Sequence, residues 1–340
     1  MKNKKKISFA LVGCGRISKY HLDAINKINS FSIVAVCDNN IKNLNNLKNI
    51  YPIYKSLRQM LQENQIDVLV ICTPNGKHYE HAKLAAKYNL NVIVEKPLAL
   101  TSKECINLKK LYKKKNKFIY VVMQNRFNPT ISFLKRIVEK KILGKIYFVI
   151  VNVLWCRPQK YFELAKWRGT KKLDGGVMIN QAIHYIDLIK WIVGPVKKIK
   201  ATTKRIARRI ETEDSAVAII EWKNKTIGSL NISVLASKEN LEGSITILAE
   251  KGNIKIGGKA LNKITESTLN KKILPNSLIK KLNYENKNEY GSGHLYFYQH
   301  LAKYISKKID NLPNIDEAID LIKLIEKINI SSERNRSVLM

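Results

Sequence analysis

Ile7-Ser8-Phe9-Ala10-Leu11-Val12-Gly13-Cys14-Gly15-Arg16-Ile17-Ser18 decides the fold of the first part of this chain. A short apolar run of strand character passes into two glycines, and a helical pattern over 17–28 follows at once. In a dinucleotide fingerprint the first glycine permits the tight turn. The second lets the backbone approach a pyrophosphate, which rests on the helix N-terminus. Gly13 and Gly15 fill those positions, and Arg16 and Ile17 open the helix. Ser18 replaces the third glycine but is small enough for close helix–strand packing. Asp38 ends the next apolar run, twenty residues beyond Ser18, where a carboxylate can bond adenosine ribose hydroxyls. Such a carboxylate repels a 2′-phosphate, and Asn39 and Asn40 follow it in place of an arginine, so the pattern favours NAD over NADP.

Outward from this turn, apolar runs over 7–12, 31–38, 67–73, 91–95 and 118–123 bracket helical patterns over 17–28, 56–64, 78–88 and 102–115. The alternation predicts β-α-β units in a doubly wound parallel sheet buried on both faces, forming a domain over 1–123. Past Asn125 the rhythm changes. A helical stretch over 130–140, an apolar run over 145–155 and a long helix over 176–192 precede strand patterns over 199–205, 215–222, 226–235, 243–249 and 253–256. Lys223-Asn224-Lys225 reads as a hairpin turn, so the second domain, 124–340, is expected to be α+β with an open mixed or antiparallel sheet. Two helices over 295–309 and 316–330 close the chain and are free to pack back on the first domain. Residues 261–292 are polar, rich in Lys and Asn, and read as a long surface loop. No internal repeat is found.

The composition supports two packed domains: 340 residues, 45% hydrophobic and 26% charged, which excludes a disordered or collagen-like chain. No apolar run is long enough to span a membrane. Lys2 and Lys4 to Lys6 precede a run, 7–12, too short for a signal core. Five cysteines form no C-x-x-C pair, and several lie in apolar runs as reduced buried thiols do; a cytoplasmic protein is expected. The net charge of +34 raises the question of a nucleic-acid partner. Only eleven residues are arginine against fifty lysines, and the lysines are spread along the chain. Lys, Ile and Asn share A/T-rich codons, so the charge reads as a solvated surface without a nucleic-acid partner. It still attracts anionic cofactors and substrates.

Two further strand ends carry polar groups: Cys72-Thr73-Pro74-Asn75 with His78, and Val94-Glu95-Lys96-Pro97. The carboxyl ends of strands face the ligand crevice in a doubly wound sheet, so Thr73, Pro74, Asn75, His78, Glu95 and Lys96 are placed to meet cofactor or substrate. The alternative for Glu95 and Lys96 is a capping ion pair at a solvent edge. In the helix from Gly175 to Asp187, at about 100° per residue, Asn180, His184 and Asp187 fall within about 60° of one another while apolar residues cover the remainder. Asp187 can orient the His184 imidazole and Asn180 can bind a hydroxyl. With no cysteine nearby and no second histidine at i+4, a zinc site is not read here; no metal is expected.

The glycine turn, Thr73-Pro74-Asn75 with His78, Glu95-Lys96-Pro97 and the 180–187 helix together resemble the glucose-fructose oxidoreductase / inositol dehydrogenase (Gfo/Idh/MocA) family over nearly the whole chain. That resemblance implies an N-terminal Rossmann domain, a C-terminal α/β domain with an open mixed sheet, and a homo-oligomer, dimer or tetramer. Many members carry an aspartate where this chain has Asn180. Gln124-Asn125-Arg126-Phe127-Asn128, Trp155-x-Arg157-Pro158, Tyr161, Trp167-Arg168-Gly169-Thr170, Asp174-Gly175-Gly176-Val177 and Asn180-Gln181-Ala182-Ile183-His184 are similar to the UDP-N-acetylglucosaminuronate 3-dehydrogenases of surface-sugar pathways such as O-antigen synthesis. The likeness implies oxidation of a sugar C3 hydroxyl, Lys96 and His184 as the catalytic pair, Asn180 positioning the sugar, and Gln124 at the cofactor. Asn125, Arg126, Arg157, Tyr161, Trp167, Arg168 and Asp187 would meet a nucleotide-sugar substrate.

The residue types suit this chemistry: neutral His184 can accept a hydroxyl proton, the Lys96 cation can stabilise an alkoxide, and guanidinium forks fit carboxylate and phosphate oxygens. Packing of Arg168 on Trp167 alone is the competing account of that arginine. A neutral polyol or free sugar is the alternative substrate, and a non-catalytic NAD-sensing regulator the alternative class.

Overall fold

The computed structural model describes residues 6–285, 292–306 and 314–340. The chain runs β1 (Ile7–Val12), α1 (Ser18–Asn26), β2 (Phe31–Cys37), β3 (Ile53–Tyr54), α2 (Leu57–Glu63), β4 (Val68–Ile71), α3 (His78–Lys87), β5 (Asn91–Glu95), α4 (Ser102–Lys114) and β6 (Ile119–Val122). It continues through α5 (Pro129–Glu139), β7 (Ile146–Leu154), α6 (Gln159–Glu163), α7 (Ile183–Val193), β8 (Val196–Lys204), β9 (Ser215–Trp222), β10 (Ile227–Ser233), β11 (Glu242–Ala249), β12 (Gly252–Gly257) and β13 (Lys263–Ser267). Last come α8 (Asn276–Leu282), α9 (Gly293–Ile305), α10 (Ile315–Glu333) and β14 (Val338–Leu339). Two compact units emerge: residues 1–123 with 294–322, and residues 124–293 with 323–340.

The first unit is built on a parallel six-stranded sheet of order β3-β2-β1-β4-β5-β6, the doubly wound arrangement expected from the sequence. Val68, Leu69, Val70 and Ile71 on β4, and Val92, Ile93 and Val94 on β5, are buried to within 1%. Both sheet faces are covered, which is why these strands lack an apolar–polar alternation. Thr101 and Glu104 close a capping box that starts α4. From α9, Tyr298 lies edge-on to Phe9 of β1, ring centroids 6.2 Å apart, and Tyr304 meets Tyr120 of β6 at 5.4 Å.

The second unit carries an eight-stranded sheet of order β13-β12-β11-β7-β10-β9-β8-β14. Every pairing is antiparallel except β7 with β10, so the sheet is mixed. β9 and β10 form the expected hairpin, with Lys225 at φ 69° in its turn. One face, with Val149, Val151, Val153, Ile220 and Leu230, is buried, and α7 lies against β7. The other face exposes Val217, Ile219, Ile227 and Leu248.

Four differences from the sequence reading have local causes. Residues 261–292 are not a plain loop: β13 joins the sheet edge and α8 follows Pro275, while 286–291 lie outside the described residues. The alternation in β13 is masked because three of its five residues are exposed at an edge. β3 and β14 are two-residue strands, too short to leave a periodic signal. The long helix expected over 176–192 divides into a π-helical turn, Met178–Ala182, and α7. The helix expected over 295–309 ends at Ile305 as α9, and 307–309 lie outside the described residues.

A methyl group at Gly13, which sits at φ 92°, would approach the Cys72 carbonyl carbon to 2.6 Å. Gly13→Ala should therefore destabilise the first unit by at least about 2 kcal/mol, read as a lowered thermal midpoint, because the obstacle is backbone of β4's end rather than a movable side chain.

Candidate active site

In the first unit the glycine turn follows β1 and opens α1. Gly13 N–H donates to the Cys37 carbonyl at 2.8 Å, which fixes the turn against β2. A Cβ at Gly15 would meet no atom within 4 Å, and Gly15 and Arg16 are exposed. The protein itself leaves the second glycine open, as a loop made to admit a dinucleotide backbone requires. Ser18 Oγ donates to the Gly15 carbonyl at 2.6 Å, so the residue replacing the third glycine braces the turn. Asp38 is buried and already accepts from Cys14 N–H at 2.8 Å, Asn40 N–H at 2.8 Å and Asn43 Nδ2 at 3.0 Å. A carboxylate has about four acceptor positions, so room for one further donor remains. These residues fit the adenosine and pyrophosphate parts of NAD.

At the ends of β4 and β5, His78 is 1% exposed, and its Nε2 and Nδ1 lie 2.8 Å and 2.6 Å from the carbonyl oxygens of Thr73 and Pro97. Burial lowers its pKa. The ring thus braces two strand ends that carry Thr73, Pro74 and Asn75 on one side and Glu95 and Lys96 on the other. Thr73 Oγ1 lies 3.1 Å from His81 Nδ1, and Asn75 is buried.

Glu95 is not the acid of a solvent-edge ion pair. It is 5% exposed, its Oε1 lies 2.8 Å from His21 Nε2 and 3.1 Å from His294 Nε2, and its Oε2 accepts from Lys96 N–H at 3.1 Å. Burial pushes this carboxyl up, but the bonds from His21 and His294 outweigh that and hold it well below the usual range. Burial lowers His21, so its neutral ring donates from Nε2 and accepts the Tyr298 hydroxyl at Nδ1, 2.8 Å away. The donor atoms of His21, Glu95 and His294 all lie within 4.8 Å of one another, and the separations are those of a hydrogen-bonded chain. Sequence reading missed His21, His294 and Tyr298, since no local spacing links residues so far apart in the chain. Lys96 stands half-buried directly after this anchored carboxylate, and the Lys96–Pro97 peptide bond is cis.

In the second unit, Gln124, Asn125 and Arg126 form a short 3-10 turn and all are buried. Gln124 Nε2 lies 3.2 Å from His184 Nε2. Asn180 sits in the π-helical turn, where its Nδ2 donates to Asp174 Oδ1, while Asp174 Oδ2 accepts from Gly169 N–H at 2.7 Å. The side-chain amide oxygens of Gln124, Asn125 and Gln181 are buried and accept no hydrogen bond among the described residues. Buried acceptors of this kind are rare without a partner, and sugar hydroxyls are suitable donors for them. Gln181 was not singled out in the sequence, because its neighbours in the helical wheel are apolar.

Arg126 and Asp187, both read as substrate groups, are instead each other's partners. Arg126 Nε and Nη2 donate to Asp187 Oδ2 and Oδ1 at 2.7 Å and 2.6 Å, and both residues are buried. The guanidinium also stacks over Trp191 at 5.0 Å. This corrects the reading of Arg126 as an anion hook and of Asp187 as the group that orients His184. A buried guanidinium demands a counter-charge, and the helix supplies it one turn beyond the histidine.

Arg168 lies over the Tyr161 ring at 4.2 Å and over Trp167 at 5.7 Å, so its main aromatic contact is Tyr161. Arg157 stacks on Trp155 and Tyr161 at 4.9 Å and 5.3 Å. Tyr161 in turn lies 3.5 Å from Gln181 Nε2 through its hydroxyl. Glu213, also missed, accepts from Met178 N–H at 2.9 Å at the start of the π-helical turn, and burial pushes its carboxyl up to about 7.

All five cysteines are free, and burial pushes the Cys14 and Cys37 thiols up to about 12. No helix among the described residues is long and apolar enough to cross a membrane.

Comparison with known proteins bears on this geometry. Residues 7–123 match the family model described as "Oxidoreductase family, NAD-binding Rossmann fold", and residues 135–340 match "Oxidoreductase family, C-terminal alpha/beta domain". The structure is similar to that of the WlbA dehydrogenase from Bordetella pertussis in complex with NADH and UDP-GlcNAcA, at TM-score 0.94 and 37% identity over 99% of this chain and 98% of that one. WlbA from Chromobacterium violaceum, with the same two ligands, matches at TM-score 0.92 and 35% identity over 99% and 97%. D-glucoside 3-dehydrogenase of Escherichia coli K12 is 26% identical over 243 residues, 69% of this chain and 67% of that protein. Two other curated relatives match over about half their length, 49% and 54%.

Removing one partner of the buried Arg126–Asp187 pair by Asp187→Ala should destabilise the protein by about 3–5 kcal/mol in denaturant titration, and Asp187→Ala with Arg126→Met should recover part of that loss. Glu213 is raised in the folded state above its unfolded value, so its contribution to stability is complete below about pH 4.5 and is lost as pH rises through about 7. Glu213→Gln should flatten the stability profile between pH 5 and 8 by roughly 2–4 kcal/mol relative to the parent, measured by urea unfolding.

Proposed function

Since the chain belongs to the Gfo/Idh/MocA oxidoreductase family through both of its domains, we propose that it oxidises the C3 hydroxyl of a UDP-N-acetylaminouronate to the 3-keto sugar in surface polysaccharide biosynthesis. The observation that carries this reading is the likeness, over nearly the whole of both chains, to dehydrogenases solved with NADH and UDP-GlcNAcA.

NAD is the cofactor and, when bound, supplies the acceptor for the two electrons that leave the sugar carbon. Gly13, Gly15, Arg16 and Ile17 hold its phosphates, and Asp38 takes the ribose. Thr73, Pro74 and Asn75 line the same strand ends. His184 accepts the hydroxyl proton at Nε2, the nitrogen that Gln124 Nε2 faces at 3.2 Å. Lys96, its main chain tied to Glu95, supplies a cation for the developing alkoxide. Asn180, its amide held by Asp174, orients the sugar.

The protein works as a homo-oligomer in the cytoplasm. Val217, Ile219, Ile227 and Leu248 share the outer face of the second sheet at 36–61% exposure, an apolar surface suited to self-association.

His184→Ala should lower kcat by roughly 10²–10⁴-fold while NADH binding, followed by nicotinamide fluorescence, is retained. Full turnover in that variant would remove His184 as the base. UDP-GlcNAcA should be oxidised in preference to UDP-N-acetylglucosamine and myo-inositol when reduced nicotinamide is followed at equal concentrations; preference for either neutral compound would remove the uronate.

A further inference from the structure

A polar cleft of about 710 Å³ opens in the second unit between the α6 segment and the loop joining β8 to β9. Arg168, Arg205, Arg208 and Arg209 line it, four of the chain's eleven arginines, with Glu163 and Glu211 on the same wall. In a protein whose positive charge is overwhelmingly lysine, this concentration is local and chemically distinct. Its volume is that of a small-molecule site.

Three of the four guanidinium groups are held in place by neutral partners. Arg168 Nη1 donates to the Tyr161 carbonyl at 2.8 Å, Arg205 Nη1 to the Ile210 carbonyl at 2.7 Å, and Arg208 Nε to the Arg157 carbonyl at 2.8 Å. Among the described residues none of these four arginines is ion-paired to a carboxylate. Arg168 Nε is buried and donates to no described residue. Glu211 turns one carboxylate oxygen to Lys171 N–H at 2.8 Å.

The loop is built rather than loose. Asp214 is fully buried, and its carboxylate accepts from the backbone N–H groups of Ile206, Ala207 and Arg208 at 2.8–3.0 Å. Gln159 Oε1 accepts from Arg209 N–H at 2.9 Å. Covalent and hydrogen-bonded continuity links the cleft to the substrate helix. Gly169, on the cleft wall, donates to Asp174, which holds Asn180, and Tyr161 under Arg168 reaches Gln181.

We propose that this cleft is a phosphate subsite that takes the diphosphate of the nucleotide-sugar substrate, with Arg168, Arg205, Arg208 and Arg209 as its donors. The inference rests on the substrate reading above and adds the residues that grip the nucleotide. Guanidinium forks match phosphate oxygens bidentately, and arginines that form no ion pair with a carboxylate of the described residues favour a doubly charged group over a single one.

The test uses the full-length protein saturated with NAD. Arg209→Ala is the conservative probe, because Arg209 is exposed and its side chain makes no hydrogen bond among the described residues. Arg205→Gln with Arg208→Gln and Arg209→Gln is the stronger one. Calorimetric titration with UDP should give binding weakened by about 3–10-fold in the single variant and about 10–100-fold in the triple, with UMP affected less. KM for UDP-GlcNAcA should rise in parallel, with kcat within about twofold and NADH affinity unchanged. Unchanged UDP binding and KM in both variants would overturn the subsite, as would a loss confined to NADH binding or a changed oligomeric state with KM intact. Because UDP binding is read without turnover, absence of UDP-GlcNAcA oxidation by the parent protein would remove the substrate reading, while UDP binding that depends on these arginines would keep the subsite.

Discussion

Asp174 is 1% exposed, yet it faces two donors in different elements: the backbone of Gly169 and the side chain of Asn180. A carboxylate removed from water must recover its hydrogen bonds from the protein, and whatever donates them becomes fixed. Three further segments among the described residues are set by that constraint. Asp38 gathers the glycine turn and the stretch after β2, Glu95 gathers two histidines and the Lys96 amide, and Asp214 gathers three successive amides of the arginine loop. At Asp214, burial pushes the carboxyl up, but the bonds from Arg208, Ala207 and Ile206 outweigh it and keep the group ionised below its usual range.

The same constraint explains which charges are available for ligands and which are not. Arg126 is buried against Asp187, so its charge is already neutralised within the protein. Arg205 and Arg208 are oriented by carbonyl groups, which position a cation without cancelling it, while at Arg209 only the main chain is tied, to Gln159. Two sets of arginines that look alike in composition thus have opposite roles. Lysine charge, spread over a flexible and well-hydrated surface, contributes a general positive field and little geometry.

The helix that carries His184 shows how local irregularity serves placement. Its first turn is π-helical over Met178–Ala182, and Glu213 accepts from the Met178 amide there. Wider turns rotate Asn180 relative to His184 away from the α-helical phase. Met178, Ile179, Ala182, Ile183, Ile186 and Ile189 remain buried, so the apolar face anchors the helix while the polar residues keep their own partners.

Much of this was legible in the chain itself. The β1–α1 junction with Gly13 and Gly15, the parallel sheet with its continuous apolar strands, the β9–β10 hairpin and the mixed second sheet follow from spacing and periodicity, because backbone geometry and burial are local requirements. So do the glycine at φ 92° and the carboxylate at the end of β2. Partnership is different. Nothing adjacent to Arg126 announces Asp187, nothing near Glu95 announces His21 and His294, and the arginines of the 205–209 loop are unremarkable until Arg168 is folded beside them. Charge compensation depends on which side chains meet after folding, over separations of tens to hundreds of residues. Layers, the glycine turn and residue types fit for hydride chemistry are spelled out along the chain because they rest on local geometry; that Arg126 is cancelled by Asp187 while Arg205 and Arg208 meet only carbonyl groups is settled by long-range contacts that exist after folding.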